Sequence, residues 1–222
     1  MRPRLRELRC ASPPAEGPGW DADRPVGVSP LPVAGFTNRT RGGRIRRVAF
    51  IRNVMIGREG LTRDVLVRMF LDAGADAPVS HLATGNVSFG LTGPSGPLRR
   101  AIEAELAQVI GRREPIFIRT LAALRRDVRD DPFADLAIDD VYERCVTLTD
   151  ERVDGLTLPL TNARRDVVVF AAHGRDVYSV TRRIDGRAGT PSALLRQRLT
   201  RPFSNRNWNT IEHIVRRDTS PR

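Results

Sequence analysis

The sequence predicts an α+β protein. A ferredoxin-like split βαβ first part is followed by a smaller α+β part with a β-hairpin and C-terminal helices. Three observations carry that reading. The stretch Val48–Leu91 runs as a short apolar segment, an amphipathic helical segment and two further short apolar segments. A second helix-period segment and a fourth apolar run complete a β-α-β-β-α-β order. Further on, Asp166–Ala172 and Val177–Arg183 flank His173-Gly174-Arg175-Asp176, a hairpin pattern.

Each element has a local reason. Val48–Asn53 reads as the first strand. Thr62 is an N-cap residue with Asp64 in the first turn, where the helix dipole favours an acid. Leu66, Met69, Phe70 and Ala73 form the buried stripe of that helix, and Gly74 ends it. Val79–Ala83 and Asn86–Leu91 are the second and third strands, joined by a short link whose Gly85 and Asn86 suit a tight turn. After Gly93–Pro97, with Ser95 as cap, Leu98, Ile102, Leu106, Val109 and Ile110 recur at helical spacing until Gly111. Pro115–Arg119 is the fourth strand, and a third helix, Leu121–Val128, halts before Asp131-Pro132. Beyond lie a strand at Arg144–Thr149, the hairpin, a helix at Ser192–Leu199 and a last helix after Asn209-Thr210. The predicted organisation is a disordered Arg/Pro/Gly-rich tail (1–47), a ferredoxin-like part (48–135), a second part (136–217) and a flexible end (218–222).

Composition narrows the functions. The net charge of +11 divides into +6 on residues 1–47, zero on 48–195 and +5 on 196–222, so the body is neutral and the basic excess sits at the ends. Every basic residue is Arg, which excludes a Schiff-base lysine and a P-loop lysine. No apolar run approaches membrane-spanning length. Cys10 and Cys145 have neither framework nor metal spacing, and the N-terminus lacks the apolar core of a signal peptide, which together predict a cytoplasmic protein. No cofactor motif and no metal-ligand spacing is present.

Several segments resemble a family of small bacterial proteins known as domain of unknown function 1697. Ala49-Phe50-Ile51 followed by Arg52-Asn53-Val54-Met55-Ile56-Gly57 matches that family's apolar run and Arg-Gly-Ile-Asn-Val-Gly. Thr84-Gly85-Asn86-Val87-Ser88-Phe89 matches its Ser-Gly-Asn-Val-x-Phe, and Asp131-Pro132-Phe133 its Asn-Pro-Phe. Arg206-Asn207-Trp208-Asn209-Thr210 carries its Arg-Asn-Trp-x-Thr unbroken. The resemblance spans about residues 47–216. It departs at Asn53 and Met55, where the family has Gly and Asn, and at Ala193, where a polar or basic residue is usual. It implies a two-part α+β fold in the cytosol and no particular activity.

In a βαββαβ unit the first and second strands run parallel with the third between them. The end of the first strand, the turn between the second and third strands and the N-terminus of the first helix then share one edge. Arg52, Asn53, Gly57, Thr84, Gly85 and Asn86 converge there, with Arg206 and Asn207 as candidates to complete the set. Amides, a positive dipole end and an Arg fork suit a phosphate or carboxylate. Turn chemistry alone accounts for Gly85-Asn86 and is the favoured reading there, and Trp208 reads first as a core anchor, with Thr210 capping the last helix. His81, the histidine nearest this edge, shares a sheet face with Val79 and Ala83 and reads as packed. The leading expectation is binding of a small anionic ligand. The alternatives are single-stranded nucleic-acid binding through the basic ends and a non-catalytic interaction module. No acid–base pair is in view, so no reaction is assigned.

Overall fold

The computed structural model describes residues 43–136, 138 and 140–218. Most of the tail expected over 1–47, and all but the first residue of the end expected over 218–222, lie outside these residues.

The central element is β1 (Ile45–Ile51), buried on both faces from Arg47 onward. Val48 and Phe50 point to one side and Ala49 and Ile51 to the other, and all four are fully buried. The strand starts three residues earlier than its apolar run suggests. Arg47 takes part in the ladder, and its guanidinium donates to Leu91 O (3.0 Å) and Gly93 O (2.7 Å).

α1 (Arg63–Asp72) opens on Thr62, whose Oγ1 accepts from Val65 N–H at 3.2 Å. β2 (Asp76–His81) and β3 (Asn86–Leu91) form the hairpin. β2 lies earlier than the predicted 79–83, because Leu82 turns into the left-handed region (φ 57°) and ends the ladder at the His81–Asn86 pair. α2 (Gly96–Ile110) runs to Gly111, left-handed at φ 71°, as its sequence predicts. Ser95 is itself helical and makes no side-chain cap bond, so the helix starts on Pro97 geometry instead. β4 (Ile116–Thr120) passes into α3 (Leu121–Asp130) through the Thr120 cap.

These strands form a sheet in the order β2-β3-β1-β4, each neighbouring pair antiparallel, so β1 and β2 are parallel with β3 between them. Pro78 and a register shift between Asp76 and Val79 interrupt the outer edge of β2 and blunt it for further pairing. α1 and α2 cover one face through Leu66, Met69, Phe70, Ile102 and Leu106.

The second sheet comprises β5 (Val141–Thr149), β6 (Leu160–Thr161), β7 (Val167–His173), β8 (Asp176–Ile184), β9 (Arg187–Ala188) and β10 (Phe203–Asn207), with the antiparallel path β10-β5-β8-β7-β6 and β9 paired to β8. The β7–β8 hairpin falls where its pattern predicts. α4 (Pro191–Leu195) is shorter than the expected 192–199. α5 (Trp208–Arg217) begins two residues before the expected Thr210 cap, because Asn207 Oδ1 accepts from Asn209 N–H at 2.9 Å.

The two sheets share a core. Val48, Phe50 and Phe117 of the first meet Val146, Leu148, Tyr178 and Val180 of the second, with Trp208, Ile211 and Ile214 of α5. Trp208 is 1% exposed and packs against Phe133 and Tyr178, an anchor for the last helix. Buried Arg119 of β4 reaches across to Asp176 Oδ1 (2.7 Å), Thr149 O (2.8 Å) and Arg175 O (3.0 Å) and pins the sheets together. Among the described residues no helix is long and apolar enough to cross a membrane.

Candidate functional site

At one rim of the first sheet the C-terminal end of β1, the Leu82–Gly85 turn and the start of β4 are stitched by backbone bonds. Ile51 N–H donates to Gly85 O (2.8 Å), Ile56 N–H to Ala83 O (2.8 Å) and Arg52 N–H to Pro115 O (3.1 Å). The N-terminus of α1 opens nearby, after a tight turn in which Glu59 and Gly60 are both left-handed (φ 54° and 76°) and Arg58 pairs with Leu61.

Gly85 is required twice over. Its φ is +67°, and a Cβ there would lie 2.2 Å from Val54 Cγ2 and 3.3 Å from Ile51 O. Asn86 is not part of the turn. It is the first residue of β3, fully buried, and donates to Thr84 Oγ1 (3.0 Å) and His81 O (3.3 Å).

Arg206 of β10 closes the rim from the second sheet. Its Nε donates to Asn86 Oδ1 (2.9 Å), Nη1 to Ser204 Oγ (2.7 Å) and Asn205 O (2.8 Å), and Nη2 to Ile51 O (2.6 Å) and Thr84 O (3.3 Å). A guanidinium has five N–H donors, and all five are therefore committed inside the chain. No acid pairs with Arg206 among the described residues, and burial pushes its pKa down to about 10. Arg206 is a clip that carries an unbalanced positive charge.

The other sequence-predicted residues differ in what they leave free. Asn53 adopts φ 49°, which explains the glycine usual in the resembling family, since asparagine tolerates this region best after glycine. Its amide donates to Glu114 (3.3 and 3.4 Å), which also accepts from Arg112 Nε at 3.0 Å. Arg112 bridges on to Glu59 Oε1 (2.5 Å) and Asn53 O (2.8 Å), and its hydrogen bond holds the Glu59 carboxyl below the usual range. The Gly57 amide is taken by Leu61 O at 2.8 Å. Asn207 caps α5 and faces its own helix.

Arg52 stands apart. Its half-buried side chain has no hydrogen bond and no ion pair among the described residues. The same rim presents Thr84, exposed, and the apolar Met55 and Leu82, 43% and 40% exposed. The amides of Arg63 and Asp64 in the first turn of α1 are without acceptors among the described residues.

Sequence reasoning missed a buried polar group on the same sheet. His81 Nε2 lies 2.8 Å from Ser88 Oγ, which also accepts from Arg46 Nη2 at 3.1 Å, and Arg46 pairs with Asp218 at the end of α5. The His213 ring of α5 meets the His81 ring at 6.2 Å. Burial, with His213, Arg46 and Arg63 in support and Asp218 opposing, lowers the His81 pKa. His81 is thus packed and hydrogen-bonded as expected, although Val79 and Ala83, with which alternation grouped it, are exposed, and Ser88 is fully buried, out of reach of any substrate.

No curated protein matches this sequence. Among solved structures the fold is similar to that of the conserved bacterial protein SP0830 from Streptococcus pneumoniae, with a TM-score of 0.57 over 78% of this chain and 98% of that one. At 15% identity the likeness concerns the fold alone. The model of a family described as "protein of unknown function (DUF1697)" matches residues 45–178, which includes the rim from β1 to β4 and stops short of Arg206. The chain belongs to the DUF1697 family.

Proposed function

We propose that this rim binds a small anionic ligand bearing a phosphate or a carboxylate. The observation that carries the reading is Arg52. Arg112 is paired with Glu59 and Glu114, whereas Arg52 has no acid partner among the described residues, and Arg206, which holds the carbonyl of the preceding Ile51, has none either. In this reading Arg52 supplies the donor fork, Thr84 and the first amides of α1 add neutral donors, and Gly85, Asn86 and Arg206 hold the frame. Arg206 contributes charge and no free donor. A cytoplasmic location belongs with the same reading, supported by the free Cys145, whose burial pushes its thiol up to about 12 and makes it inert.

Titration of the protein with inorganic phosphate, followed through backbone amide shifts, tests it. Shifts should concentrate at residues 52–65 and 82–86. Arg52→Gln should weaken binding by roughly 1.5–3 kcal/mol, about ten- to a hundredfold, the range for a charge-assisted hydrogen bond. Unchanged affinity in that variant would reject the site.

Nucleic-acid stacking has less to stand on here. Phe50 and Phe89, the aromatics that a platform on β1 and β3 would use, are both 0% exposed.

A further inference from the structure

A second site rests on arginines that the rim proposal does not use and borders the rim at Glu114 and Pro115. A cleft of about 400 Å³ opens between α2, the loop after it and the segment leading into β10. That volume suits a small molecule.

Its charges are unequally satisfied. Glu103 Oε1 accepts from Ile116 N–H (3.1 Å) and faces Arg99 (3.6 Å), which also pairs with Asp150. Glu114, 7% exposed, is held by Arg112 and Asn53. In both places one arginine of a consecutive pair is ion-paired to the acid, Arg99 being shared with Asp150 and Arg112 with Glu59, and its neighbour makes no ion pair among the described residues. The leftovers, Arg100 and Arg113, both line the cleft and have no hydrogen bond or ion pair among the described residues. Ala104, Pro115 and Pro202 supply apolar walls, two of them stiffened by the proline ring.

We infer that this cleft binds an organic anion, a carboxylate or phosphate ester carried on a short apolar body. Arg100 and Arg113 grip the head, and the alanine and proline walls take the body. Glu103 and Glu114 each keep an arginine partner, and the two uncommitted fork-shaped donors suit a planar or tetrahedral anion.

Phenyl phosphate is the probe. Titrated into the full chain, it should shift amides at residues 100–104 and 111–116 and bind more tightly than inorganic phosphate does at these residues. Arg100→Gln with Arg113→Gln should weaken this binding at least tenfold, whereas Arg52→Gln should leave it unchanged, which separates this cleft from the rim. Both substituted side chains are exposed, so the variant folds, and an unaltered urea midpoint confirms it. Shifts confined to the rim, affinity unaffected by the double substitution, or equal binding of phenyl and inorganic phosphate would each overturn the inference.

Discussion

Replacing Arg206 by methionine removes the clip while keeping most of the side chain's volume. The substitution strands two acceptors on fully buried residues, Ile51 O and Asn86 Oδ1. A buried polar group that loses its partner costs roughly 1–3 kcal/mol. The bonds to Asn205 and Thr84 count for less, since water reaches these positions, whereas the buried Ser204 hydroxyl adds to the loss. Against these losses stands the hydration that the guanidinium gives up, on the order of 3 kcal/mol from its lowered pKa. Methionine escapes that cost, so a gross loss of about 2–6 kcal/mol for the two acceptors, with the other bonds added, leaves a net loss of about 1–4 kcal/mol. Lysine keeps a hydration cost but carries its donors on one nitrogen, which cannot reach Ser204 on one side and Thr84 on the other. Arg206→Lys should therefore recover less than half of the loss. Urea unfolding measures both variants, and amide hydrogen exchange locates the effect: the Ile51 amide, bonded to Gly85 O, should exchange faster in either variant. A loss under about 0.5 kcal/mol for methionine would refute the clip.

Other outcomes follow from the same geometry. Gly85→Ala combines positive φ with a Cβ overlapping Val54 Cγ2, and should cost about 2–4 kcal/mol in urea unfolding. Adding Val54→Ala should recover the steric share, so that the two changes are visibly non-additive. The His81 pKa is lowered on folding, so the unfolded chain takes up a proton near pH 6.5 that the folded chain refuses. Stability should be full above pH 7 and fall as pH drops through 6.5, with a slope of up to about 1.4 kcal/mol per pH unit, and His81→Asn should flatten that slope. Ser88, His213, Arg46, Arg63 and Asp218 remain in place in that variant, so an unflattened profile would assign the slope elsewhere. Trp208→Ala should cost about 3–5 kcal/mol and free α5, seen as lost helical ellipticity.

What the sequence made legible is whatever local chemistry dictates. The Thr62 cap, the left-handed Gly85 and Gly111, the parallel placement of β1 and β2 and the burial of Phe50, Phe89 and Trp208 follow from periodicity and turn chemistry. The first-sheet rim was legible for the same reason, because strand direction alone puts Arg52 and Gly85 on one edge. β10 was not. Phe203-Ser204-Asn205-Arg206-Asn207 has one apolar residue, since its inward positions are filled by a polar network that shows no hydrophobic alternation. The missed strand is what brings Arg206 to Asn86, 120 residues away. Asn86 reads as a turn residue by type and proves to be a buried hub, a distinction that only the partner reveals. His81 and His213 belong to elements with no pattern in common, and Arg100 and Arg113 look like any other arginine of this chain until the pairing of their neighbours is known.

Crystals of the protein soaked in sulfate bear most directly on the central claim, that one rim gathers separated backbone segments around an unneutralised Arg52. The account predicts sulfate density within hydrogen-bonding distance of the Arg52 guanidinium, flanked by Thr84 and the first turn of α1, with Arg206 still bound to Asn86 and Ile51. Sulfate found only on other surfaces, with the Arg52 side chain folded onto an acid, would contradict it.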